Sequence, residues 1–99
     1  MTNDFIQQIV QDLYVVATHV ASHPRGYCGF EVALARVLLT TVDLDALSDT
    51  IYSVLFVSNT YAADLTPEEV TAESAARRLH RLQPKIRHQQ AAIQAHMAA

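Results

Sequence analysis

Residues 43–65, DLDALSDTIYSVLFVSNTYAADL, are apolar over more than one face of a helix. At 100° per residue, Leu44, Leu47, Ile51, Val54, Leu55, Ser58, Tyr61, Ala62 and Leu65 share one side, an arc of about 120°. Tyr52 and Phe56, four apart, form a second apolar strip beside it. Asp49 and Ser53 lie beyond that strip, and Asp45 shares its direction only at the amino end. A helix with two apolar sides needs two neighbours, so the pattern predicts a central helix of a small bundle that the other helices cover.

The rest of the chain is consistent with that expectation. Ninety-nine residues with 51% hydrophobic content make one domain with one core, too small for a buried multi-residue active site under a lid. Two glycines are too few for the tight turns of an all-β chain. The longest apolar runs, residues 13–17 and 54–57, fall far short of the ~20 residues of a membrane span. The amino-terminal MTNDFIQQ has no basic segment or small-residue cleavage site, and the single Cys28 suits a reducing compartment. The expected location is the cytoplasm, with no integral membrane part.

Apolar spacing and turn residues predict the elements. Ile6, Ile9, Val10, Leu13, Val16 or Ala17, and Val20 mark a first helix over 3–21, with Asn3 or Asp4 as its cap and Gln7, Gln8, Gln11 and Asp12 on its wet side. Pro24, Gly26 and Gly29 place a loop at 22–29. Residues 30–41 are apolar almost throughout; their length, alanines and leucines favour a well-buried helix over a strand. The central helix spans 44–63, capped by Asp43 or Asp45. Thr66, Pro67 and Glu69 then spell an N-cap, a first-turn proline and a capping box, which start a helix over 67–82. Its stripe of Ala72, Ala75, Ala76, Leu79 and Leu82 continues past Pro84 through Ile86, Ile93 and Met97. A kink or break is therefore expected near Gln83, with 84–97 a continuation of the helix or a tail that frays.

Charge is distributed unevenly. Residues 1–76 carry all ten acids against Arg25 and Arg36, a net −8, whereas residues 77–99 carry five cations and no acid. Arg77, Arg78, Arg81 and Lys85, with His88, gather opposite Leu79, Leu82 and Ile86. One reading is a solvated face whose cations suit a helix carboxyl end. The other is a docking face for something anionic, comprising Arg77, Arg78, Arg81, Lys85 and Arg87: an anionic membrane surface, an acidic loop of a partner, or nucleic acid. Nucleic acid is disfavoured because phosphate would repel the first 76 residues. The segment after Thr66 is like the first half of a helix-turn-helix, but no glycine-containing turn and recognition helix follow.

Other candidate chemistry is thin. His19 and His23 are four apart but Pro24 disrupts helical geometry there, and His80, His88 and His96 drift around their helix, so surface histidines are expected rather than a metal site. Cys28 has His23 and Tyr27 near it without an evident orienting group or oxyanion hole, which predicts a partly buried loop thiol. No phosphate-cradling glycine loop, HExxH pair or apolar carboxylate pair is present. No catalytic residue, cofactor or metal is expected, and the chain reads as a non-enzyme.

The stretch IVQDLYVV resembles the opening helix of the immunity proteins for pediocin-like (class IIa) bacteriocins, the enterocin A immunity type. LDALSDTIYSVLFVSNTYAADLTPEE resembles their third helix: paired leucines, an aromatic-rich middle, and a short loop into an acidic helix four. The resemblance spans roughly residues 6–82. It implies an all-α fold, an antiparallel four-helix bundle, to which Pro84 and the stripe beyond it add a kinked or extended carboxyl-terminal helix. It also implies a cytoplasmic, or peripherally membrane-bound, protein that protects a producing bacterium by acting on the bacteriocin in complex with a membrane sugar permease of the mannose phosphotransferase type. The carboxyl-terminal half would set specificity, which maps here to the helix three–four hairpin and the residues from Arg77 onward. Two alternatives stand beside it: a DNA-binding regulator or accessory subunit, and a helical oligomeric adaptor using the strip of Tyr52 and Phe56.

Overall fold

The computed structural model describes residues 2–22 and 26–98, with side chains from residue 4 onward. Among the described residues there are five α-helices: α1 (Thr2–Ser22), α2 (Gly29–Leu38), α3 (Leu44–Thr60), α4 (Pro67–His88) and α5 (Gln90–Ala98). A single 3-10 turn, Ala62–Asp64, follows α3. The fold is all-α. The first four helices form an up-down antiparallel ring in which α1 and α3 each pack on both α2 and α4. The long dimension, 37 Å, is close to the roughly 33 Å of a 22-residue helix such as α4.

The stripe of α1 is buried throughout: Ile6, Ile9, Val10, Leu13, Val16, Ala17 and Val20. This helix also touches all four others, so the central position belongs to α1 and not to α3. Within α3, Leu47, Ile51, Val54 and Ser58 face the core, but Tyr52 and Phe56 are 57% and 71% exposed. The second strip on the wheel reports an apolar direction, and among the described residues no helix buries it. Asp12 is a further correction, because it is buried rather than on the wet side of α1.

Local chemistry fixes the helix ends. Asp43 Oδ1 accepts from the backbone N–H groups of Asp45 and Ala46 at 2.9 and 3.2 Å and caps α3. At α4, Thr66 Oγ1 accepts from Glu69 N and Glu69 Oε1 accepts from Thr66 N, at 3.2 and 2.8 Å, the capping box the sequence predicts. α1 already begins at Thr2, so Asn3 and Asp4, expected as its cap, lie inside its first turn, whereas His23, Pro24 and Arg25 of the first loop lie outside the described residues. Gly26 has φ +78°, and a Cβ there would stand 3.2 Å from Val57 Cγ2, so the turn excludes a side chain on two counts. Residues 30–41 are helical only to Leu38, and of α2 only Ala35 and Leu38 are buried; Phe30 and Val37 are exposed. α2 is therefore a short outer wall, not the well-buried element its composition suggests.

Pro84 does not break α4. The helix runs from Pro67 to His88 with Leu79 and Ile86 fully buried on either side of the proline. Those two anchors offset the roughly 3 kcal/mol cost of an interior proline, and Pro84 itself faces outward. The helix ends at Gln89, its C-cap, and α5 packs onto α1. Residues 90–98 are not a fraying tail. Ile93 is fully buried, Met97 packs against the core, and the side-chain amides of Gln90 and Gln94 both donate to the Val42 carbonyl, at 3.0 and 2.6 Å. One carbonyl with two lone pairs thus ties α5 to the loop between α2 and α3.

Candidate partner-binding surface

The basic residues of α4 do not form one face. They separate into a flank against α1, an exposed crest and a flank against α3. Arg78 lies on the α1 flank: its Nε and Nη2 donate to the two carboxylate oxygens of Asp12, at 3.0 and 2.9 Å. Gln8 Nε2 donates a third hydrogen bond to Asp12 Oδ1 at 3.1 Å. The Asp12 side chain is 2% exposed and that of Arg78 41%. A bidentate, charge-assisted pair of this kind fixes the spacing of α1 and α4. Hydrogen bonding to Asp12 raises the Arg78 guanidinium above its ordinary value, against a smaller desolvation effect. Arg78 is thereby committed within the fold.

Arg77, its neighbour, sits 100° around the helix and pairs with Glu73, one turn back, at 3.0 Å. Arg81 and Lys85 are exposed and, among the described residues, have no carboxylate partner. Lys85, with Phe5, His88 and Gln89, lines an open cavity of about 320 Å³ between the start of α1 and the end of α4. Arg87 points the other way. With Ser48, His80, Gln83, Pro84 and His88 it lines a cleft of about 430 Å³ along the seam of α3 and α4.

Two contacts hold that seam, and neither is evident on a single-helix wheel. Gln83 Nε2 donates to Ser48 Oγ at 2.6 Å, and the rings of Tyr52 and His80 meet edge-on with centroids 5.6 Å apart. Asp12 was also hidden, although a signal existed: on the wheel it borders Ile9 and Val16, as Arg78 borders Leu82 and Ala75. Opposite charges at the margins of two apolar stripes are the signature of a pair across a helix–helix seam.

The far end of the bundle carries a second polar group. His19 packs edge-on against Tyr27, with centroids 5.6 Å apart. Desolvation, reinforced by the charges of Glu69 and Glu31, pushes the Tyr27 phenol up to about 12. Desolvation works to raise the Glu31 carboxyl too, but hydrogen bonding with Ser53 and with the Cys28 backbone and thiol outweighs it and holds the group below its ordinary value. Cys28 is exposed rather than partly buried and serves as the N-cap of α2. Among the described residues no three His, Cys, Asp or Glu side chains come close enough to hold a metal ion; His23, half of the His19–His23 pair, lies outside them. No described helix is long and apolar enough to cross a membrane.

The arrangement can therefore present positive charge at the surface in two places: a crest of Arg77, Arg81 and Lys85 beside an apolar notch at Phe5, and a cleft containing Arg87, His80 and His88. No family model, curated protein or solved structure matches the chain.

Proposed function

We propose that the chain is a non-catalytic binding protein of the bacteriocin-immunity type, acting from the cytoplasmic side on a bacteriocin bound to a sugar permease of the mannose phosphotransferase type. The observation that supports it is the crest of α4. Arg81 and Lys85 stand exposed without carboxylate partners among the described residues, next to an apolar notch lined by Phe5. Cations beside an apolar patch suit an acidic loop at a membrane surface. The contact face narrows from the five residues read in the sequence to Arg81, Lys85 and Arg77, because Arg78 is engaged with Asp12 and Arg87 turns toward α3.

The test is protection of a bacteriocin-sensitive host expressing the chain. Arg81→Gln with Lys85→Gln is expected to abolish protection while the thermal melt stays within about 4 °C of the parent, as for exposed sites generally. Full protection by the folded double variant, or none by the parent, would remove this reading.

A further inference from the structure

Beyond that proposal, the face built by α3 and α4 is complementary to itself. Its α3 column presents exposed Asp45, Asp49, Tyr52 and Phe56 from amino to carboxyl end. Its α4 column presents Arg77, His80, Pro84 and Arg87, with the cleft of about 430 Å³ between the columns. The cleft lining contains Arg87 and two histidines and no carboxylate.

The Gln83–Ser48 hydrogen bond and the Tyr52–His80 ring contact fix the antiparallel register. In that register Asp45 stands level with Arg87, Tyr52 with His80, and Phe56 with the turn that carries Arg77. Acid and base thus face outward at the same height on neighbouring helices, one column each. A two-fold axis running along the helices exchanges the columns and lays each α3 over the other copy's α4. Asp45 then meets Arg87 of the second copy, Tyr52 meets its His80, and Phe56 covers the stem of its Arg77. Phe56, at 71% exposure, and Tyr52, at 57%, would both leave water.

From this geometry we infer that the face is a homodimer interface, with a second copy of this chain as its occupant. An anionic bilayer or nucleic acid would meet Asp45 and Asp49 head-on, and an all-acidic peptide would satisfy α4 while being repelled by α3. A second copy gives Asp45 a cation and Arg87 an acid at once, and leaves Asp49 level with the neutral Gln83. The face is about 25 Å long, from 17 residues of α3, and two helices wide. It buries on the order of 500 Å² per copy, at the low end of specific interfaces, so the dimer is reversible and concentration-dependent. Arg77 is shared with the proposed partner face, whereas Arg81 and Lys85 lie outside the paired columns and distinguish the two surfaces.

Sedimentation velocity of the full chain from low to high micromolar concentration tests the pairing. The parent is expected to shift from monomer to dimer over that range. Phe56→Ser, at a position too exposed to affect folding, is expected to weaken association about tenfold or more. Asp45→Arg and Arg87→Asp should each do the same, and their combination should restore the dimer. A parent that stays monomeric throughout, or a dimer indifferent to all three changes, overturns the inference. So does a monomer whose Phe56-dependent binding goes to phosphatidylglycerol vesicles, which would make a membrane the occupant.

Discussion

The two flanks of α4 are built from similar residues and behave differently. Against α1, the helix closes the seam with the ion pair of Arg78 and Asp12. Against α3, the lower half of the seam is held by one amide–hydroxyl hydrogen bond and one ring edge, with a cleft left open beside them. The first flank spends its arginine on the fold, whereas the second leaves Arg87 and the histidines facing outward. A cluster of cations in sequence is thus not a unit of function: 100° of rotation between neighbours decides which cation is structural.

The largest expected effect falls on the closed flank. Arg78→Ala strands a carboxylate that is 2% exposed, and breaking a buried pair from one side typically costs 3–5 kcal/mol. Because the Arg78 side chain is 41% exposed and water can enter, the expected loss is about 3 kcal/mol, or more than about 10 °C in Tm. Asp12→Leu combined with Arg78→Met should recover most of it, since an apolar pair of similar volume carries no stranded charge. Urea unfolding of the three variants measures both. A loss below about 1 kcal/mol for Arg78→Ala would put the two flanks on the same footing.

On the open flank, Gln83→Ala removes a single neutral hydrogen bond to Ser48, for about 1 kcal/mol. The seam of α2 and α3 gives a third comparison, through pH. Glu31 is held below its ordinary carboxylate value, so folding favours its charged form. Its contribution is complete above the unfolded value and is lost as pH falls through the lower folded value. Stability should therefore decline on acidification below about pH 4.5, and Glu31→Gln should flatten that decline, read as urea midpoints against pH. An unchanged slope would mean that Glu31 does not couple α2 to α3.

The sequence made some of this legible and hid the rest for physical reasons. Periodicity reports which side of a helix is apolar, so the stripe of α1 and the alignment of Leu79, Ile86 and Ile93 were readable. Capping is local chemistry within four residues, so Thr66 and Glu69 were readable too. Periodicity does not say whether an apolar side finds a neighbour, and for that reason Tyr52 and Phe56 suggested a central helix where the structure has an exposed face. Pairings between distant residues leave no trace on one wheel: Asp12 and Arg78 are 66 positions apart, and Gln94 reaches Val42 across 52. The candidate face was half visible in the same sense. Its cations were plain, but which of them the fold consumes depends on α1 and α3.

The smallest effect makes the sharpest comparison, because it concerns adjacent residues of one type. Arg77 bonds Glu73 within one helix, with side chains 58% and 23% exposed, and pairs of that kind contribute about 0.3–0.5 kcal/mol. Arg77→Ala should thus cost no more than about 0.5 kcal/mol where Arg78→Ala costs about six times as much. Salt separates the two independently of size. At about 1 M the Debye length is about 3 Å, so the Arg77 contribution should vanish while the Asp12–Arg78 pair, whose carboxylate is buried, keeps more of its own. Equal salt sensitivity of the two variants in urea melts would show that water reaches Asp12, and the contrast between the closed and open flanks of α4 would then be one of geometry alone.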